Sequence, residues 1–178
     1  HKGIYFNVFY AFPESISMPE KSYMGGGITM LWSEPTGTVV ASEKHKNYPN
    51  VRNADDIRAT CVYGENENGG FIFNGKGKAE LEWLENGKSF EISESIPNSS
   101  ASVAWTYTLL EDCVEMKVKA SGITNGAVNI PIKKTEEKAV VTSDENAVYY
   151  TYGNEEVAFS SENECSVIAD GNISKLRV

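Results

Sequence analysis

The side chains best equipped for chemistry lie in one short stretch, Lys44 to Arg58, which reads KHKNYPNVRNADDIR. His45 is one of two histidines in the chain, and the other occupies position 1. An imidazole exchanges a proton near neutral pH, so His45 is the candidate catalytic residue, for proton transfer or for orienting an acidic sugar. Around it, Lys44, Lys46, Arg52 and Arg58 form the chain's one basic concentration. Such cations suit a carboxylate or sulfate on an acidic polysaccharide. Tyr48 and Tyr63 lie near loop ends, where an aromatic ring can face a ligand. The same stretch also reads as a solvated hairpin-end loop whose cations are balanced by Glu43, Asp55 and Asp56, and both readings stay open.

Other chemistries find little support. Two histidines exclude a multi-histidine metal centre, no CxxC spacing occurs, and no metal or cofactor is expected. Cys61, Cys113 and Cys165 are read as buried free thiols, with one disulfide plus a free thiol as the alternative. A glycosidase needs two carboxylates facing each other across a bond, and no such pair stands out; Asp55-Asp56 and Glu111-Asp112 read as turn residues. No Gly-x-Ser-x-Gly pattern is present. Gly25-Gly26-Gly27 is not a phosphate loop, because no Lys-Ser/Thr follows and a strand comes next. A bulge or a close strand crossing explains it better. Trp32, Trp83 and Trp105 fall in alternating strands and are expected in the core.

The elements that must position these groups are strands. The chain has 178 residues, 40% of them hydrophobic and 11% aromatic, enough for one packed domain spanning 1–178. A net charge of −9 argues against nucleic acid as a partner. No apolar run approaches the roughly 18 residues that a membrane span needs. The chain opens on His1-Lys2-Gly3 without a signal segment and closes in a strand-like run, Ile173 to Val178. It therefore reads as a piece of a longer protein.

Apolar alternation at period two recurs, broken by turn dipeptides, and about fifteen short strands are expected. So many strands imply two packed antiparallel sheets, an all-β sandwich. Lys78 to Trp83 places Ala79, Leu81 and Trp83 on one face and its charges on the other. Val114, Met116 and Val118 alternate likewise with Glu115, Lys117 and Lys119. Ser102 to Leu110 is uncharged on both faces and reads as a central strand. Asn86-Gly87, Asn125-Gly126 and Asp170-Gly171 mark turns. Asn53-Ala54-Asp55-Asp56 is suited to cap a single helical turn.

The run Gly25-Gly26-Gly27-Ile28-Thr29-Met30-Leu31-Trp32, followed by Gly37-Thr38-Val39-Val40, resembles the C-terminal β-sandwich region of heparinase II/III-like polysaccharide lyases. The block Trp105 to Ile132 is similar to the super-sandwich behind their helical toroids. The resemblance implies a non-catalytic domain of an extracellular, cell-surface or periplasmic bacterial protein. Such a domain would support an N-terminal helical domain and line one wall of a polysaccharide or oligosaccharide cleft. In such lyases a tyrosine or histidine abstracts a proton in β-elimination, and the one position here able to carry the histidine's role is His45, which no motif aligns with it. The alternative is a stand-alone carbohydrate-binding or adhesion module. A third reading, a complete small glycan-active enzyme, would use His45 with a tyrosine.

Overall fold

The computed structural model describes residues 3–10, 25–48, 50–84, 87–111, 113–133, 139–161, 166–170 and 173–177. In chain order the strands are β1 (Ile4–Tyr10), β2 (Gly25–Ser33), β3 (Gly37–Ala41), β4 (Cys61–Glu65), β5 (Phe71–Phe73), β6 (Ala79–Trp83), β7 (Ser89–Ser95) and β8 (Ser102–Leu109). Then follow β9 (Val114–Ser121), β10 (Thr124–Lys133), β11 (Val140–Ser143), β12 (Ala147–Tyr152), β13 (Glu155–Ser160), β14 (Ser166–Asp170) and β15 (Ile173–Arg177). The architecture is the expected all-β antiparallel sandwich. No described helix is long and apolar enough to cross a membrane.

The main sheet runs β1-β2-β3-β10-β15-β14, with β4 on β10 and β5 on β4. β10 is long enough to pair end to end with two partners along one edge. Asn129 opposes Cys61 of β4, and Ile132 opposes Val40 of β3. The switch leaves ladder groups to be satisfied, and the Asn129 side-chain amide donates to the buried carbonyl of Ala59 at 2.8 Å. Asn125 (φ 48°) and Gly126 do not form the expected turn. They lie within β10, where the register with β4 shifts between Thr124 and Ala127, so left-handed backbone tolerance serves a bulge.

Register sorts the two faces of this sheet. Phe6 opposes Leu31, Leu31 opposes Val40, Val40 opposes Ile132, and Val62 opposes Val128, so these apolar residues share one face. A second layer covers that face. It consists of a four-stranded sheet, β6-β7-β8-β9, and a three-stranded sheet, β11-β12-β13. β6 lies near β1, β7 and β8 lie over β2, and β11 lies near β14. The sandwich thus has two layers, one of them broken into two sheets. The core between them holds Val39, Val40, Ile92, Val103, Trp105, Ile132, Val148 and Tyr150, all nearly inaccessible to solvent. Full burial of such side chains contributes about 1.5–3 kcal/mol each.

The three glycines are where the layers meet. β2 begins at Gly25 rather than at Ile28, so the glycines belong to the strand. Gly26 has φ +88°, and a Cβ there would lie 2.7 Å from Ile92 Cγ2 and 3.0 Å from Trp105. A Cβ at Gly27 would overlap the Thr60 carbonyl. Tyr107 Oη donates to the Gly26 carbonyl at 2.6 Å, and Asn74 Nδ2 donates to that of Gly25 at 2.7 Å. Asn74 Oδ1 in turn accepts from the Val62 N–H at 2.7 Å. Beside Asn74 the loop N–H groups of Gly75 (2.7 Å), Lys76 (2.9 Å) and Gly77 close on the Glu94 carboxylate of β7. Both expected reasons for the run are present: the backbone is closely approached here, and the β1–β2 register shifts between Val8–Ile28 and Tyr10–Gly25, which puts a bulge in the glycines.

Three expectations about the core need correction. Trp32 is only partly buried and lies across from the exposed Tyr5, on the face of the main sheet opposite the core. Trp105 is fully buried, but Trp83 is 62% exposed. It ends the edge strand β6, with the Phe90 ring 5.3 Å away between centroids. Cys61 is buried and free as expected, whereas Cys113 is a free but exposed thiol just before β9. Cys165 and the Glu85-Asn86 turn positions lie outside the described residues.

Candidate functional site

The opposite face of the main sheet carries Cys61, Tyr63 and Phe73, and the segment from Lys44 to Arg58 folds over it. Apolar pressure drives this local fold. Ile57 is fully buried with those three residues, and Val51 and Ala54 pack against them. Asn53 caps a single 3-10 turn, Ala54–Asp56, its Oδ1 accepting the N–H groups of Asp55 at 3.0 Å and Asp56 at 3.2 Å. The cap that the sequence suggested is present.

His45 is part of this packing. It is 3% exposed, and its ring meets Phe73 edge-on at 4.9 Å and 87°. Its Nδ1 accepts the Arg58 N–H at 3.0 Å. A nitrogen that accepts from an N–H carries a lone pair rather than a proton, and here that lone pair is committed to the backbone. The imidazole therefore holds β3's exit against the strand-side end of the loop, and that lone pair is closed to a substrate proton.

Asp56 is the second organiser. Its Oδ1 accepts from Asn47 Nδ2 at 2.7 Å and its Oδ2 from the Arg52 N–H at 2.9 Å. Its backbone carbonyl accepts from the Lys46 N–H at 2.8 Å. The Arg52 N–H is the largest influence holding this carboxyl below its ordinary range, with Asn47, the Asn53 backbone and the Lys46 charge adding to it and burial opposing. Asn47 takes the left-handed conformation (φ 57°) that turns its amide inward.

The basic residues do not converge on one point. Arg58 reaches Glu43 at 3.8 Å, and Lys133 reaches the same carboxylate at 3.5 Å. Lys44 is exposed, with its ammonium 5.9 Å from the Tyr48 ring centroid. Lys46 lies beside Asp56 and contributes to the field on it. Of the expected basic binding residues, Arg52 borders an open cleft. This open cleft, about 440 Å³ in volume, is also bordered by Tyr63, Glu65, Phe71 and Asn125. Tyr63 and Phe71 stand 5.9 Å apart, and Asn125 Nδ2 donates to Glu65 Oε2 at 3.0 Å. A guanidinium, an amide, a carboxylate and the partly buried Phe71 ring on one open wall can hydrogen-bond and stack against a polar ring with an acidic substituent, while Tyr63 itself is buried.

The sequence reading found Arg52 and Tyr63 but missed Glu65, Phe71 and Asn125, which strand pairing alone brings beside them. A second aromatic surface lies at the far end of the same sheet face. There Tyr5, 61% exposed, stands 5.4 Å from Trp32, its partner across the strand pair. Among the described residues no grouping of three or more His, Cys, Asp or Glu side chains is arranged to hold a metal ion. The chain matches no protein-family model, and neither a curated protein nor a solved structure matches it.

Proposed function

We propose that this chain is a non-catalytic β-sandwich domain of an extracellular bacterial polysaccharide lyase-like protein, borne beside a helical catalytic domain and contacting glycan through the Arg52 cleft. The observation that carries the reading is the state of His45. The one internal imidazole is packed on Phe73 with Nδ1 bonded to the Arg58 backbone, while Arg52 borders an open cleft beside Tyr63 and Asn125. The domain has a surface suited to an acidic sugar and lacks an accessible histidine base among its described residues.

Two measurements test it. The isolated chain, incubated with uronate polysaccharides, should release no unsaturated uronide, and any measurable release overturns the reading. On an array of oligosaccharides it should retain uronate-bearing ligands, with retention falling about tenfold in Arg52→Ala and unchanged in Lys44→Ala. Equal retention by wild type and Arg52→Ala removes the cleft from the proposal. The exposed Trp83 favours a second reading, a stand-alone carbohydrate-binding module whose platform is the Trp83–Phe90 surface. In that case Trp83→Ala abolishes retention and Arg52→Ala leaves it intact.

A further inference from the structure

Two strand edges of the second layer border one cavity. β9 is the last strand of the four-stranded sheet and β13 the last of the three-stranded sheet, and neither has a partner on its outer edge among the described residues. A cavity of about 1080 Å³ lies between these two edges. The pattern of its walls shows that they are edges rather than faces. Consecutive residues border it, Val114 to Val118 on one side and Glu156 to Ser161 on the other. A strand presenting a face would contribute only every second residue. The floor is the apolar face of the main sheet, including Leu31 and Val128.

Burial along the slot is correspondingly incomplete. On β7 and β8 the inward residues Ile92, Val103 and Trp105 are essentially fully buried. On β9 the equivalent inward residues Val114, Met116 and Val118 are only half-buried, as are Val157 and Phe159 on β13. An apolar small molecule would cover these side chains and leave two rows of backbone N–H and C=O groups unanswered. An extended polypeptide answers both.

We propose that this slot binds one β-strand of a partner polypeptide, supplied in trans, which joins the four- and three-stranded sheets into one layer. The walls state the chemistry of that strand. Its inward positions, every second residue, are aliphatic, to complete the core over Leu31 and Val128. Its outward positions lie between Glu115, Lys117 and Lys119 on the β9 side and Glu156 on the β13 side, all exposed. Opposite charges on neighbouring strands attract, so glutamate and lysine alternate along that outward face. Its length is set by the walls, six residues of β13 and eight of β9. The inference is independent of the glycan reading, which concerns the opposite face of the main sheet.

The probe is a synthetic eight-residue peptide, acetylated and amidated, with valine at every second position and alternating glutamate and lysine between. Hydrogen exchange of the full chain is followed with and without it. Binding should slow exchange at least tenfold in both 114–121 and 155–160, and leave the β1–β2 pair unchanged. The same peptide N-methylated at alternate residues should bind at least tenfold more weakly, because the donors to one of the two edges are gone and methyl groups stand in their place. Met116→Lys, which puts a charge on the slot wall at a half-buried position, should lose the protection while keeping the circular dichroism of the wild type. Equal binding by the N-methylated peptide makes the slot an apolar ligand pocket and overturns the proposal. So does protection of only one edge, or no protection at millimolar peptide; these outcomes need no variant to fold.

Discussion

Asp56 gives the sharpest test of how the loop over the main sheet is held. Its carboxylate receives two donors, Asn47 Nδ2 at 2.7 Å and the Arg52 N–H at 2.9 Å. A hydrogen bond to a charged group contributes about 1.5–3 kcal/mol, against roughly 1 kcal/mol for a neutral one. Although Asp56 is only 5% exposed, it lies under a thin loop rather than deep in the core, and water screens its bonds. The lower ends of these ranges apply. Asp56→Asn keeps both bonds if Asn47 turns its amide, losing only the charge assistance, about 1 kcal/mol in all. Asp56→Ala loses both bonds and leaves the Arg52 N–H without its acceptor, costing about 3 kcal/mol.

The dependence on pH fixes the mechanism. The carboxyl is held below its ordinary value of 3.8, chiefly by the Arg52 N–H, so the folded chain favours the ionised form. The stabilisation is fully present above 3.8 and is lost as pH falls through the depressed folded value. Urea denaturation of wild type and Asp56→Asn should therefore show a gap at pH 7 that closes in strong acid, where both side chains are neutral. A gap that persists unchanged in acid, or widens there, refutes the charge-assisted account. An Asp56→Ala variant as stable as Asp56→Asn refutes the hydrogen-bond arithmetic.

Three further outcomes follow from the packing. Burial raises the Glu94 carboxyl above its ordinary 4.5 against the opposing pull of the Gly77, Gly75 and Lys76 N–H groups and Asn74. Its contribution is thus largest below 4.5 and is lost as pH rises through the folded value. The stability of wild type relative to Glu94→Gln should grow between pH 7.5 and pH 4.5, and a flat difference in urea midpoints contradicts it. Gly27→Ala forces a methyl into the Thr60 carbonyl and should cost at least about 2 kcal/mol, seen as a melting temperature lower by several degrees; an unchanged value refutes the close crossing. His45→Ala removes a buried ring from Phe73 and leaves the Arg58 N–H unanswered, so a loss of about 3 kcal/mol is expected. A stable His45→Ala chain would return that histidine to the list of functional groups.

Where period two governed, the sequence was legible. Val103, Trp105 and Tyr107 point inward, and Glu115, Lys117 and Lys119 point outward, as their alternation requires. Alternation fails at Trp83 because it reports which face a side chain takes and not whether anything lies opposite. β6 is an edge strand, and burial falls along its inward face from Ala79 through Leu81 to Trp83. Asn125-Gly126 misled for a related reason, since the same left-handed tolerance serves a turn and a bulge. The burial of His45 depends on Phe73 and on the Arg58 backbone, partners set by the β4–β5 pairing. Glu94 shares the inward face of β7 with Phe90 and Ile92, so alternation turns this carboxylate inward without showing what satisfies it there. Its donors come from the loop at Gly75 to Gly77, brought round by that same non-local pairing.

These ties are unevenly placed across the second layer, and that unevenness connects the glycine run with the open slot. Tyr107 of β8 bonds Gly26, and Asn74, which bonds Gly25, also contacts Glu94 of β7. The inner strands of the four-stranded sheet are thereby fastened to β2 by buried polar contacts, which demand one geometry because each unmade bond costs a full desolvation penalty. β9, which borders the cavity opposite β13, packs on the core through the half-buried Val114, Met116 and Val118 instead. Apolar contact is tolerant of small displacements where hydrogen bonding is not. The anchored strands fix the height of the layer above the main sheet, and the less constrained outer strand borders an opening at that same height. A fold fastened in this way can hold an empty strand position without losing the sandwich around it.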